Sequence, residues 1–209
     1  YPDAIKIINL FSAHPDVQAR LVGMDVNEPA TAISLKRQRA ELEMADHILV
    51  PSSFALESLK EFGLDKKATV MPFGVDLEKF TPGDKKFSNL PLKVIFVGSN
   101  WERKGGPQLL KAWDKLDLKD AELTICGVQA DALGDVGIKE NVKVGWVPDL
   151  VEALQNSSLF ILPALEDGCP LATHTIVLSG MGQAARKTIE KWPWERYEQQ
   201  YIDFIRGLE

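Results

Sequence analysis

The sequence has little sulfur and little histidine. Two cysteines, Cys126 and Cys169, and three histidines are spread through 209 residues. The cysteines are too few and too far apart for a disulfide framework or a CxxC metal site, so both read as buried or incidental thiols. Asp and His do not cluster as Mg²⁺ ligation through carboxylates requires, and neither a metal nor a cofactor is expected. No apolar run approaches the ~18 residues of a membrane span. The opening Tyr1-Pro2-Asp3 is not the basic-then-apolar start of a signal peptide, and the address these absences imply is the cytoplasm. A basic excess is missing too: the net charge is −6, which argues against a nucleic-acid partner.

What remains is ordinary globular protein, with 45% hydrophobic and 26% charged residues. The length allows one large domain, or one and a part. Short runs rich in Val and Ile alternate with longer amphipathic stretches, the pattern of βαβ units around a parallel sheet. Strands are predicted at Ile5–Leu10, His47–Val50, Thr69–Met71, Lys93–Val97, Glu122–Cys126, Val142–Val144 and Leu159–Leu162. Helices are predicted at Ser34–Met44, Ser53–Phe62 and Gly105–Trp113, the second opened by a serine cap. Periodicity stops between Asp76 and Leu92, where LEKFTPGDKKFSNLP reads as a linker or hinge. Three strands before it make a thin sheet, so the N-terminal part looks incomplete as a domain. The aromatic stretch Met181–Leu208 is helical, with Tyr197, Tyr201 and Phe204 on one face that packs on a domain.

Two loops carry the chemistry. Strand Lys93–Val97 runs into Gly98-Ser99-Asn100-Trp101-Glu102-Arg103-Lys104-Gly105-Gly106 and then a helix. Such a turn offers backbone N–H groups and a helix dipole to a phosphate, and Arg103 and Lys104 add positive charge. Pro163-Ala164-Leu165-Glu166-Asp167-Gly168-Cys169-Pro170-Leu171 follows the last strand. In an open parallel sheet both loops lie at the carboxyl edge, where ligands bind, and carboxylates followed by glycine can bond sugar hydroxyls.

The segments AELEMADHILVPSSFALESLKEFG, VMPFGVDLEKF, VIFVGSNWERKGG, LTICG, VKVGWVPD and LFILPALEDG resemble, in this order, the retaining glycosyltransferases of family four. The resemblance implies an α/β fold of GT-B type, with two Rossmann-like domains facing a cleft and the N-terminal one incomplete. It implies residues 1–80 as part of the acceptor-side domain, 81–92 as hinge, 93–180 as the nucleotide-sugar domain, and 181–209 as helices packing back towards the first domain. It puts the family's donor-phosphate lysine on Lys104 and an active-site histidine on His14, and the first acid of a Glu-x7-Glu pair on Asp167. Gly98, Ser99, Arg103, Gly127, Val147, Asp149 and Gly168 complete the donor contacts it implies. Gly74-Val75-Asp76 would turn into the cleft, and His47 reads as structural.

Two departures stand out. Ser99 occupies the place of the family's arginine, with Arg103 as its substitute. The second acid is missing, since Thr175 stands in its place and His174 runs at once into what resembles the C-terminal helix. A segment omitted after His174 is expected rather than one truly lost, because a sheet stripped of a helix and strand beside its ligand would expose core.

The expected activity is transfer of a sugar from a nucleoside diphosphate to a sugar, lipid or other hydroxyl acceptor with retained configuration. Peripheral membrane contact stays open. A nucleotide-sugar epimerase or hydrolase on the same architecture is one alternative, and a non-catalytic nucleotide-sugar-binding module another.

Overall fold

The computed structural model describes residues 3–81, 91–133, 137–170, 191 and 193–208. The chain divides into two compact units. The first comprises Tyr1–Gly74, Leu165–Cys169 and Glu195–Glu209, the second Val75–Ala164 and Pro170–Trp194. The expected boundaries differ. The division falls at Gly74, and the acidic loop, expected with residues 93–180, joins the first unit through its own hydrogen bonds, described below. Most of the proposed hinge and residues 171–190 lie outside the described residues.

In the first unit, β1 (Ile7–Asn9), β2 (His47–Val50) and β3 (Ala68–Val70) form a parallel sheet in the order β1-β2-β3. Ile8 faces Ile48 and Val50 faces Val70 across the ladder. The central strand buries Ile48, Leu49 and Val50, as a parallel strand covered on both faces must. Three helices flank this sheet: α1 (Pro15–Val22), α2 (Pro29–Met44) and α3 (Ser53–Lys60). Leu42, Ala45, Ala55 and Leu59 close the core with Ile48 and Val50.

Each start has a local cause. Ser52 Oγ accepts the Ala55 N–H at the head of α3. Glu28 accepts from the Ala30 and Thr31 N–H groups, and Pro29 sits at the first helical position. Helix α2 therefore begins five residues before the expected Ser34. Helix α1, not foreseen, is capped by His14 and stopped by Gly23, whose φ is 73°.

The second unit is a four-stranded parallel sheet in the order β6-β5-β4-β7. Its strands are β4 (Leu92–Val97), β5 (Ala121–Cys126), β6 (Val142–Gly145) and β7 (Leu159–Phe160). Helix α4 (Gly106–Leu116) packs Leu109, Leu110 and Trp113 into a core with Phe96, Leu123 and Ile125. Helix α5 (Leu150–Gln155) precedes β7.

The last helix, α6 (Trp194–Arg206), sets Tyr197 against Phe73 and Phe204 edge-on to His47. These contacts are why Glu195–Glu209 counts with the first unit. Trp192 lies outside the described residues.

Candidate functional site

In the second unit, three chain segments converge at the carboxyl edge of the sheet. Gly98 N–H donates to Cys126 O at 2.9 Å, and Gly127 N–H to Gly145 O at 3.2 Å. Gly127 has a φ of 90°, and a side chain there would sit 3.3 Å from the Gly98 carbonyl group. A side chain at Gly98 would in turn meet Lys104 Cδ at 3.2 Å. The lysine stem thus lies across the bare backbone of Gly98. The turn that carries Lys104 is locked by backbone bonds: Lys104 N–H to Asn100 O at 3.0 Å and Gly106 N–H to Trp101 O at 2.9 Å. Asn100 Oδ1 also accepts the Arg103 N–H at 3.1 Å. Below it the buried Trp101 ring stands edge-on to Phe96 and fills the space a side chain at Gly106 would need.

The turn ends in Gly105, in the left-handed region at φ 74° and pressed against the Pro163 carbonyl that follows β7. Helix α4 has no side-chain cap bond at its start. First-turn amides without a capping side chain are a place for an anion. Gly98, Gly127 and Lys104 are therefore brought together, with Arg103 half-buried and Ser99 exposed beside them. Val147 N–H bonds the Cys126 thiol, which burial pushes above its ordinary pKa. The Asp149 carboxylate accepts the Glu152 N–H at 3.0 Å, so one of its oxygens serves the start of α5.

The remaining expected residues lie in the first unit. Glu166 is only 2% exposed. Its carboxylate accepts the Ala13 N–H at 3.0 Å and Gln18 Nε2–H at 2.7 Å. Ser52 Oγ donates to Gly168 O at 2.5 Å. Gly168 packs so tightly on the backbone of Phe11 and Ser12 that a side chain there would overlap both. Asp167 Oδ1 accepts the Cys169 N–H at 3.2 Å. Burial and the neighbouring Asp167 charge push the Cys169 thiol up to about 11, so it stays a protonated thiol at neutral pH.

His14 differs from its expected place on an open face. It is 1% exposed and stacked on Phe62 with ring centroids 3.5 Å apart. Its N–H donates to Ser58 Oγ at 2.8 Å, its Nδ1 accepts the Asp16 N–H at 3.3 Å, and its carbonyl starts α1 by accepting the Gln18 N–H. Position alone favoured the cleft, but the capping role turns the ring inward. His14, Asp16, Arg39, Glu43, Phe62 and Leu64 line a hollow of about 370 Å³.

Burial holds the imidazole below its ordinary pKa, against the opposing pull of Asp16. The hydrogen bond from Arg39 holds Asp16 below the usual carboxylate range. Both groups bind fewer protons folded than unfolded. The stability they contribute is present above their unfolded pKa values and is lost as pH falls, first below about 6.5 for His14 and then below about 3.9 for Asp16. The melting temperature should fall between pH 7.5 and 5.5, and His14→Asn, which keeps a capping acceptor, should flatten that slope. An unchanged slope in the variant would assign the pH dependence to other groups.

Sequence reasoning passed over Glu166 in favour of its neighbour Asp167. Two adjacent acids before a glycine give no signal for which one turns inward; only the donors at Ala13 and Gln18 decide it.

Residues 91–181 match the family model described as Glycosyl transferases group 1. A curated relative from Escherichia coli, UDP-Gal:alpha-D-GlcNAc-diphosphoundecaprenol alpha-1,3-galactosyltransferase, is 32% identical over 136 residues, which cover 54% of this chain and 35% of that protein. The structure of S. aureus TarM, solved with fondaparinux, alpha-GlcNAc-glycerol and UDP, aligns with a TM-score of 0.60 at 15% identity, over 82% of this chain and 34% of its own. Anabaena HepE, solved with UDP and glucose, aligns with a TM-score of 0.60 at 13% identity, over 82% of this chain and 50% of its own. The chain thus spans about a third of the curated relative, and a third to a half of these structures. Its fold is α/β of GT-B type. Among the described residues no helix is long and apolar enough to cross a membrane.

Proposed function

We propose that this chain belongs to an enzyme that transfers a sugar from a nucleoside diphosphate, UDP in the first instance, to a hydroxyl acceptor with retained anomeric configuration. The observation that carries this reading is the Lys104 stem lying across Gly98 where Gly127 also approaches, beside the uncapped start of α4. Bare backbone admits a diphosphate closely, and a fixed cation beside the positive end of a helix stabilises the charge that grows on it as the glycosidic bond breaks. Arg103 stands in the same turn and supplements the charge that Ser99 does not provide. Asp167 orients hydroxyls of the donor sugar, while Val147 and Asp149 border the nucleotide.

The curated relative draws on UDP-Gal and makes an alpha-1,3 linkage to a diphosphoundecaprenol-linked sugar. UDP-galactose carries its sugar as the α anomer, so an α product supports retention here. A lipid-linked acceptor would bring the enzyme to the cytoplasmic face of a membrane.

The rival reading is a nucleotide-sugar-binding module without turnover, which Ser99 favours because no guanidinium stands at that position. Slow release of free sugar from a UDP-sugar would separate the two.

Lys104→Ala removes one charge-assisted contact and should weaken UDP binding by about 1.5–3 kcal/mol in calorimetry. Undiminished binding would move the diphosphate site elsewhere.

A further inference from the structure

The acidic loop is fixed at the carboxyl ends of all three strands of the first unit. Beyond β1, Gly168 rests on the Phe11 and Ser12 backbone. Beyond β2, Ser52 Oγ donates to Gly168 O, and beyond β3 the Cys169 thiol takes the Phe73 N–H. All three fixings act on residues 168 and 169. Glu166 fastens the loop on the other side of Asp167, where one carboxylate oxygen accepts the fully buried Ala13 N–H and the other accepts the Gln18 side-chain amide. Asp167 is carried between these anchors, half-buried, with its Oδ1 on the Cys169 N–H.

We infer that Glu166 is a positioning residue for the Asp167 carboxylate, acting by tying the loop to the head of α1 and not by touching substrate. Two donors meet two oxygens, a pairing that a carboxylate satisfies and that truncation would leave undone, with the Ala13 amide buried and short of its acceptor. At 2% exposure, with both oxygens engaged, Glu166 offers no face to a ligand. Once that anchor is lost, Asp167 is tethered from residues 168 and 169 alone, and a displacement of about 1 Å in a substrate-orienting group costs about a hundredfold in rate. Binding of UDP should not change, because Gly98, Gly127 and Lys104 belong to the second unit. The effect on turnover rests on the transferase reading, whereas the anchor itself does not.

The test uses the whole chain, with UDP-galactose and UDP-glucose at saturation and release of free sugar as one readout. Hydrogen exchange of the Cys169 amide is the other, since that amide reports on the Asp167 carboxylate directly. Glu166→Ala should lower kcat roughly tenfold to a hundredfold at unchanged UDP affinity, and the Cys169 amide should lose its protection. Gln18→Glu sets two carboxylates face to face and should do the same. Adding Glu166→Gln to Gln18→Glu exchanges the two groups: the new amide accepts the Ala13 N–H through its oxygen and donates to the new carboxylate on α1. The double variant should therefore recover both kcat and Cys169 protection, and it decides the matter even where a single variant fails to fold. Parental kcat and exchange in Glu166→Ala overturn the inference, as does a lowered melting temperature with parental kcat in the folded fraction, which would make the role structural alone. A double variant that stays unprotected overturns it too, and one that is protected yet inactive would mean that Glu166 itself meets the substrate. A parent that releases no sugar would overturn the proposed function alone, because Cys169 protection lost in Gln18→Glu and regained in the double variant would still uphold the anchor.

Discussion

Gly105→Ala should destabilise the second unit by about 3 kcal/mol or more and abolish UDP binding with it. Two costs coincide at this position. The residue holds φ at 74°, and an added Cβ would overlap the Pro163 carbonyl group, which is backbone and has no rotamer to escape into. Gly23 provides the internal control, because its φ is 73° but nothing lies within 4 Å of the Cβ position. Gly23→Ala should therefore cost only the strain of the left-handed region, about 1–2 kcal/mol. Circular dichroism melting of the pair decides the matter: equal losses would mean that the close approach to Pro163 is easily relaxed.

His14→Ala is the second large effect, and it should appear in folding before it appears in turnover. The imidazole is buried on Phe62, and its Nδ1 satisfies the Asp16 amide at the head of α1. Truncation leaves a cavity and removes the cap, together about 2–4 kcal/mol. At roughly 4–8 °C per kcal/mol for a unit of this size, the melting temperature should drop by about 10 °C or more. His14→Asn, which retains an acceptor for the cap, should lose less. A normally melting His14→Ala chain with defective sugar transfer would restore the histidine to the reacting centre.

The sheet strands were legible because parallel strands covered on both faces are continuous Val/Ile runs. Most observed limits fall within two residues of the expected ones, and at β7 the ladder continues past the assigned strand through Ile161 N–H to Ile95 O. Helix α1 was hidden because a histidine and a proline, His14-Pro15, look like a loop where serine or aspartate would announce a cap. The first turn of α2 was hidden likewise, since Glu28 does the capping. The turn around Lys104 was legible from its glycines and charges. The inward turn of Glu166 was not, because its partners lie in another part of the sequence and no local pattern encodes a contact of that range.

That long-range contact also orders events during synthesis. Strands β4 to β7 are contiguous within Val75–Ala164 and can pair as soon as they emerge. The first unit, although its described strands precede those of the second, receives the carboxylate for Ala13 from a residue 153 positions later, and its aromatic helix later still. Loops of that span close slowly, and their cost falls before any contact rewards it. The strands β1 to β3 therefore wait for the acidic loop, and a nascent chain stalled before Leu165 has β4 to β7 in hand while the Ala13 N–H still lacks the Glu166 carboxylate.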